Sequence, residues 1–272
     1  MISEGRCPVD DGELYVRSTG KGPPLLLIAG GIGAADDYRA LVKLFSDEYT
    51  VLTYDRRGHF QSTDRTEGPI SLARHAEDAN AVLDHIDAGQ ATVFGTSAGA
   101  LIGLELAVRY PDAVLDLVAH EPPAVRLLPD SADWLDAAAE QVKLALGGDL
   151  MGAFTRFTSA IAGAGLPGLP TVRLSNKSEW AFLFERELMA FFDYLPDLAA
   201  LRKSRVDITP IAGAGSRGRY HYQPAKVLAL ELGLPFVEVP GTHLAPQRNP
   251  AQLAAALREL FVAPEWPDRA GP

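Results

Sequence analysis

The stretch Ala91-Thr92-Val93-Phe94-Gly95-Thr96-Ser97-Ala98-Gly99-Ala100, continued by Leu101-Ile102-Gly103-Leu104-Glu105-Leu106-Ala107, decides how this chain folds. Its first part is β-branched and aromatic, which predicts a short buried strand. Its last part is rich in Leu, Ile and Ala, which predicts a helix. Between them stands G-x-S-x-G, in the strand–turn–helix setting that gives the motif a mechanical meaning. A serine there sits on strained backbone at the top of the sheet, and small neighbours let adjacent elements pass close to it. The helix that follows aims its free N–H groups and the positive end of its dipole at the same place. The plainer alternative is a Gly-rich turn of an ordinary α/β domain, and the rest of the chain decides between the two.

Upstream, Asp11-Gly12 between two extended runs within residues 6–18 predicts a hairpin. Pro24-Leu25-Leu26-Leu27-Ile28-Ala29 is continuously apolar, as a strand covered on both faces must be. A helix from Asp36 or Asp37 to Phe45, a strand Tyr49–Tyr54 and an amphipathic helix Leu72–Ile86 come next. Downstream of Ser97 the helix stops at Tyr110-Pro111, and Ala113–Ala119 reads as a strand. The alternation then lapses. Residues 123–205 show helical periodicity alone, over Trp134–Leu146, Leu150–Ile161, Lys177–Tyr194 and Leu198–Lys203, with a Gly/Pro-rich joint at Gly163–Pro170. Strands return at Val206–Ala212 and Pro235–Val239, with helices at Pro224–Leu232 and Pro250–Phe261 and a loose tail over Ala263–Pro272. Strands alternating with helices predict a mostly parallel sheet with right-handed crossovers, so the expected fold class is α/β. Residues 1–122 and 206–262 form its core, and 123–205 are inserted at the carboxyl edge of the sheet, where ligands bind. A lid over the site and a merely stabilising helical subdomain are the two readings of that insertion.

Composition narrows the class. The 272 residues can bury a large core, and 47% hydrophobic with 22% charged content fits a soluble globular enzyme. A formal charge of −10 with no Lys/Arg cluster argues against a nucleic-acid partner. Cys7 is the one cysteine, so an intramolecular disulfide and a cysteine-based metal site are excluded. No apolar run is long enough to span a bilayer, and the N-terminal residues lack the pattern of a signal peptide. The expectation is a cytoplasmic protein without a membrane or nucleic-acid partner, and the sequence is compatible with a homodimer.

A serine nucleophile needs a base, an acid to orient the base, and an oxyanion hole. The candidate base is His243, on the short loop Gly241-Thr242-His243-Leu244 just past the last strand. The other histidines fit less well by position: His75 and His85 fall on an expected surface helix, His221 in a polar loop, and His59 in a loop after an early strand.

Four ordered motifs now stand together: Gly30-Gly31 after the apolar strand, Asp55-Arg56-Arg57-Gly58-His59-Phe60-Gln61-Ser62, Gly95-Thr96-Ser97-Ala98-Gly99, and Gly241-Thr242-His243. In this order they resemble the α/β-hydrolase family over nearly the whole chain outside the insertion. The resemblance implies an α/β-hydrolase fold with a mostly parallel sheet, an inserted helical cap over the active site, and a triad with Ser97 as nucleophile. Many members carry the triad acid after the penultimate strand, where this chain reads Ile211-Ala212-Gly213-Ala214-Gly215-Ser216 and has no carboxylate; Asp207 opens that strand at its wrong end. A minority place the acid after the strand that follows the nucleophile helix, and Glu121 occupies that place. A carboxylate there reaches His243 from the same sheet edge; the alternative is that Glu121 caps the insertion or pairs with an arginine. His120, one residue earlier, points to the opposite side if the strand continues, and no catalytic role is given to it. For the oxyanion hole the natural donors are the Ala98 N–H and one from Gly31 or Ile32; where the family often has His-Gly, this chain has Gly30-Gly31. The placement of Ser97, Glu121 and His243, with His120-Glu121 ahead of proline, is also similar to the zearalenone lactonases. That likeness implies a cap tryptophan over the substrate, for which Trp180 is the counterpart.

The insertion is aromatic at helical spacing. Most of these rings must pack, and the remainder would line an apolar pocket; the candidate substrate-binding residues are Trp180, Phe184, Phe192 and Tyr194. The matching partner is an uncharged, moderately hydrophobic small-molecule ester or lactone, cleaved through an acyl-enzyme without cofactor or metal. The same triad serves cofactor-free haloperoxidase-like and C–C bond hydrolases, and a non-catalytic small-molecule binding protein would keep the pocket while relaxing the triad. Dehalogenases and epoxide hydrolases of this fold use an Asp nucleophile, which Ser97 argues against. Gly31-Ile32-Gly33-Ala34-Ala35-Asp36 mimics a dinucleotide loop, but Asp36 at the third glycine's place would repel a pyrophosphate.

Overall fold

A computed structural model of the chain describes residues 2–162 and 175–261. The joint at Gly163–Pro170 and the tail Ala263–Pro272 lie outside the described residues.

The hairpin comes first, with β1 (Ile2–Val9) and β2 (Gly12–Gly20) joined through Asp10-Asp11, where Asp11 takes a left-handed φ of 58°. Then follow β3 (Pro24–Ile28), β4 (Thr50–Tyr54), β5 (Ala91–Thr96), β6 (Val114–His120), β7 (Asp207–Gly213) and β8 (Val237–Val239). These make one sheet in the order β1-β2-β4-β3-β5-β6-β7-β8. The hairpin adds to β4 antiparallel, and every pairing from β4 through β8 is parallel. The five residues of β3 and the six of β5 are all buried, which is why β3 reads as an unbroken apolar run and β5 as a β-branched and aromatic one.

Alternation along β3 supplies both faces. Leu26 and Ile28 join one core cluster with the helices α2 (Leu72–His85) and α3 (Ala98–Arg109). Leu25 and Leu27 join another with α1 (Arg39–Phe45) and, near the C-terminus, α11 (Pro250–Leu260). Helix α3 is buried nearly all round, so its sequence carries no polar stripe.

Between β6 and β7 the chain runs through α4 (Ser131–Leu146), α5 (Leu150–Ala162), α6 (Lys177–Phe182), a π-helical turn Leu183–Glu187, α7 (Leu188–Phe192) and α8 (Leu198–Lys203). The two strands that flank this insertion are direct neighbours, with Asp116 opposite Asp207 and His120 opposite Ile211. Because the pairing is parallel, the insertion leaves the carboxyl end of β6 and returns to the amino end of β7, with α8 packed against α3. Phe154, Phe157, Trp180 and Phe184 form an aromatic cluster inside them, with ring centroids 4.8–6.0 Å apart and three of the four contacts edge-to-face. After β7 come α9 (Tyr222–Leu232) and the short α10 (Ala245–Arg248).

The elements depart from the sequence expectation in small ways. Strand β8 starts at Val237, not Pro235, since a proline has no N–H to give a ladder. The single helix expected over Lys177–Tyr194 is interrupted by the π turn and ends at Phe192, and α10 was not foreseen. His75, expected on a solvent face, is buried. Among the described residues no helix is long and apolar enough to cross a membrane.

Candidate active site

Ser97 joins β5 to α3 with φ 58° and ψ −125°, a conformation that costs a non-glycine residue about 1–3 kcal/mol. The surroundings enforce it. The Ser97 N–H donates to the His120 carbonyl at 2.9 Å, and its carbonyl accepts from Ala100 at 2.9 Å. A Cβ at Gly99 would overlap the Ile28 carbonyl, so the helix start can press onto β3 only with glycine there. A Cβ at Gly30 would stand 2.8 Å from the Ser97 Cβ and 2.6 Å from the Thr96 carbonyl oxygen. That close approach explains why glycine and no larger residue precedes Gly31.

Glu121 follows the last residue of β6. Its φ of 49° breaks the strand's alternation, and its N–H donates to the Ile211 carbonyl at 3.0 Å. The turn swings the side chain across the end of β7, where Oε1 accepts from the Gly213 N–H at 2.8 Å. Oε2 lies 2.7 Å from His243 Nδ1, with both side chains buried. An ionised carboxylate can only accept, so Nδ1 carries the proton and Nε2 is left as the base. His243 is held by its loop, in which Gly215 N–H donates to the Gly241 carbonyl and Ala245 N–H to the Thr242 carbonyl, each at 2.8 Å.

Two more imidazoles complete the cluster. His221 Nε2 lies 3.3 Å from Glu121 Oε2, and His120 Nε2 lies 3.9 Å from Oε1. The rings of His221 and His120 stand 4.4 Å and 6.2 Å from that of His243. Burial pushes the Glu121 carboxyl up, but the His243 hydrogen bond and the three imidazoles outweigh it and hold it at about 2. Burial lowers His120 to about 4, and burial with the neighbouring His243 lowers His221 to about 3, so both are neutral at pH 7. His120 thus faces the cluster and not the far side, because the left-handed Glu121 ends the alternation. His221 is buried beside Glu121, where the sequence suggested a polar loop.

Ser97 and His243 line one cavity of about 400 Å³. Gly31 and Ile32 form part of its wall, and Phe154, Phe157, Ile161 and Trp180 of the inserted helices form another part. Ser97 also borders a second, much smaller space of about 20 Å³, with Ala98, Gly31, Leu183, Leu188, Phe192 and Tyr220 around it. The N–H groups of Gly31 and Ile32 make no hydrogen bond among the described residues, and Ala98, first residue of α3, has an orphan helix N–H.

Of the residues read as substrate-binding, Trp180 lines the large cavity and Phe192 the small one. Phe184 and Tyr194 line neither. Phe184 is buried behind Phe157 and Trp180, and the Tyr194 hydroxyl donates to Glu105 of α3 at 2.9 Å. Sequence reasoning missed Glu187, which is fully buried and surrounded by Arg56, His59 and His75. A signal for it existed: Phe184, Glu187 and Phe191 fall on one helical stripe, on which Glu187 is the odd carboxylate. His75 likewise shares the stripe of Leu72, Ala79 and Val82, whose burial its spacing could have given away. Among the described residues, Glu121, His221 and His243 are the three whose ligand atoms lie close enough, within 4.8 Å, to hold a metal ion.

Comparison with known proteins agrees with this architecture. A family model described as alpha/beta hydrolase fold matches residues 23–160. An uncharacterized hydrolase, YraK of Bacillus subtilis, is 33% identical over 250 residues, covering 89% of this chain and 90% of that protein. Two solved structures share the fold at 18% identity. The carboxylesterase CesB of Bacillus subtilis has a TM-score of 0.68 and covers 95% of this chain and 91% of its own. Est816, an N-acyl homoserine lactone degrading enzyme, has a TM-score of 0.72 and covers 94% and 100%. The sheet order, the serine turn and the matched residues lead to one conclusion: this chain belongs to the alpha/beta hydrolase fold family and is a hydrolase of that fold.

Proposed function

We propose that this protein is a serine hydrolase that cleaves carboxylic esters of apolar small molecules through an acyl-enzyme. The observation that carries the reading is the buried His243–Glu121 contact of 2.7 Å, on the wall of the cavity that Ser97 also lines. Ser97 Oγ attacks the carbonyl carbon while His243 Nε2 takes its proton. The oxyanion is held by the N–H of Ala98 and one from Gly31 or Ile32. His243 then protonates the alkoxide, which leaves as the alcohol. Water repeats the sequence on the acyl-Ser97 ester, releasing the acid. Glu121, ionised throughout, orients the imidazole and stabilises it as it becomes charged.

The inserted helices act as a cap in this reading, and the two spaces beside Ser97 divide the substrate. The leaving group must stand where His243 can protonate it, which is the large chamber. The acyl group then points into the small one, whose 20 Å³ holds about one water molecule. The substrate this favours has a formyl or acetyl acyl group and a bulky apolar alcohol. Carboxylesterase activity in CesB agrees with ester chemistry on this fold. A lactone, the chemistry named for Est816, keeps both halves in one ring and would have to place the whole ring in the large chamber. The non-catalytic alternative drew its support from the empty acid position after β7, and Glu121 now offers a carboxylate to His243 from β6.

The test is hydrolysis of p-nitrophenyl acetate, butyrate and hexanoate by wild type and Ser97→Ala, with fluorophosphonate labelling. Turnover of the acetate, loss in Ser97→Ala and a label on Ser97 are expected. A wild type that neither turns over nor labels would overturn the reading.

A further inference from the structure

The Arg56 guanidinium is fully buried, and each of its five N–H groups has an acceptor. Nε and one Nη2 hydrogen go to the two oxygens of Glu187, at 3.3 Å and 2.8 Å. The other Nη2 hydrogen goes to the Gly31 carbonyl at 2.8 Å. Nη1 donates to the carbonyls of Ala29 and Gly30, at 3.0 Å and 3.3 Å. Three consecutive carbonyls of the loop beside Ser97 are therefore turned toward one cation. The Arg56 side chain lies so close over this loop that a Cβ at Gly33 would stand 2.8 Å from Arg56 Cβ. The Arg56 N–H also donates to the Gly33 carbonyl at 2.9 Å.

In a planar trans peptide the C=O and N–H point in opposite directions. Turning the Gly30 carbonyl to Arg56 turns the Gly31 N–H away from it, and turning the Gly31 carbonyl does the same for Ile32. Those two N–H groups make no hydrogen bond among the described residues, and both residues line the cavity with Ser97. Arg56 does not touch the reacting atoms. It helps to fix the direction of the donors that would: the Gly31 carbonyl accepts from Arg56 at 2.8 Å, while the Gly30 carbonyl is shared between Arg56 and the Gly33 N–H, which donates at 2.8 Å.

Arg56 is in turn held by the inserted helices. Glu187 comes from the π-helical turn, and its Oε2 also meets His59 Nε2 at 2.8 Å while its Oε1 lies 3.2 Å from His75 Nε2. Arg56, His59 and its other neighbours outweigh burial and hold the Glu187 carboxyl well below its usual range, so it is an anion facing the guanidinium. The ring of Phe191 covers the guanidinium from the same helices at 5.3 Å. From this we infer that Glu187 and Arg56 are positioning residues for the oxyanion hole, and that docking of the inserted helices sets its geometry. The inference rests on the serine-hydrolase reading above.

The test compares kcat and KM for p-nitrophenyl acetate, the rate of fluorophosphonate labelling at Ser97, and thermal melting. Glu187→Gln keeps the shape and removes the charge; kcat is expected to fall by roughly 10-fold to 100-fold with KM within about 3-fold, a misdirected donor costing less than the roughly 10²–10³-fold of one removed outright. Arg56→Lys keeps a cation for Glu187 but lacks the fork that reaches three carbonyls, and should lose kcat similarly. The double variant Arg56→Met/Glu187→Leu removes both buried charges, so it should melt above either single charge-removing variant though below wild type, since the Ala29 and Gly31 carbonyls and His59 lose a partner, while kcat stays low. Arg186→Ala cuts another tie between the inserted helices and the core, the 3.0 Å contact with Asp64, without touching the loop; its kcat should stay near wild type. Wild-type kcat in folded Arg56→Lys or in the double variant overturns the inference, as does an equal loss in Arg186→Ala. If wild type itself neither turns over nor labels, the hydrolase reading fails and the inference with it.

Discussion

The imidazole of His221 lies against that of His243, ring centroids 4.4 Å apart, yet only His243 makes the 2.7 Å contact with Glu121. His221 reaches the same carboxylate oxygen at 3.3 Å, and its buried Nδ1 has no hydrogen-bond partner among the described residues. A second protonated ring beside His243 would compete for Glu121, so His221 has to stay neutral, and burial keeps it so.

That arrangement sets a pH dependence of stability. His221 titrates at about 3 in the folded chain against 6.5 in the unfolded one. Between those values the unfolded chain binds a proton that the folded chain does not, so stability is lost as pH falls below 6.5. Each such proton is worth about 1.4 kcal/mol per pH unit. His120, at about 4, acts in the same direction, whereas Asp37, pushed up to about 6 by burial, acts against it. The difference between wild type and His221→Gln isolates the one group. Urea unfolding at pH 6 and pH 5 should show wild type losing about 1.4 kcal/mol more than the variant over that unit. Equal losses would mean that His221 is not held neutral.

Glu121→Gln tests the acid directly. The amide keeps the size and the bond from Gly213 N–H, but it cannot carry the charge that stabilises an imidazolium. Gln also presents an NH2 group to His243, which favours the wrong tautomer. On the serine-hydrolase reading kcat for p-nitrophenyl acetate should fall by roughly 10³-fold or more with little change in KM. A loss below about tenfold would place the orienting acid elsewhere.

The sheet was legible because its signals are local. The apolar run of β3, the β-branched and aromatic run of β5, the glycines around Ser97 and the proline after α3 each act within a few residues. Glu121 was legible only through a likeness between families, since nothing local announces that a residue after His120 turns left-handed and crosses the end of β7. His221 and Glu187 were harder still. Their surroundings come from elements far away in the chain, so the Phe184–Phe191 stripe could mark Glu187 as buried but not name its partners, and His221 looks polar and ordinary until those elements close over it. Tyr194 shows the opposite difficulty: an aromatic next to an aromatic stripe suggested a pocket wall, and nothing in the sequence signalled that its hydroxyl bonds Glu105 of α3.

For Tyr194 this means a structural and not a substrate-binding effect. Tyr194→Phe removes one hydrogen bond, and Glu105 keeps its ion pair with Arg109 at 2.5 Å. The expected loss is about 1 kcal/mol of unfolding free energy, with kcat/KM within about twofold of wild type. A raised KM with unchanged stability would return Tyr194 to the pocket.

The small space beside Ser97 makes the sharpest demand on specificity. Leu183, Leu188 and Phe192 close it, all three buried and all from the inserted helices. With room for about one water molecule, wild type should turn over the acetyl ester at least tenfold faster in kcat/KM than the hexanoyl ester. Leu188→Ala opens the wall, at a cost of about 2–5 kcal/mol in stability. It should raise kcat/KM for the butyryl and hexanoyl esters relative to acetyl, and Phe192→Leu should do so more mildly with less risk to folding. On the proposed division of the substrate, lengthening the alcohol instead should be tolerated in all three proteins, because the 400 Å³ chamber on the His243 side would take that half. If wild type prefers long acyl chains, or if neither variant shifts the acyl-length profile, the two halves of the substrate are not divided in this way.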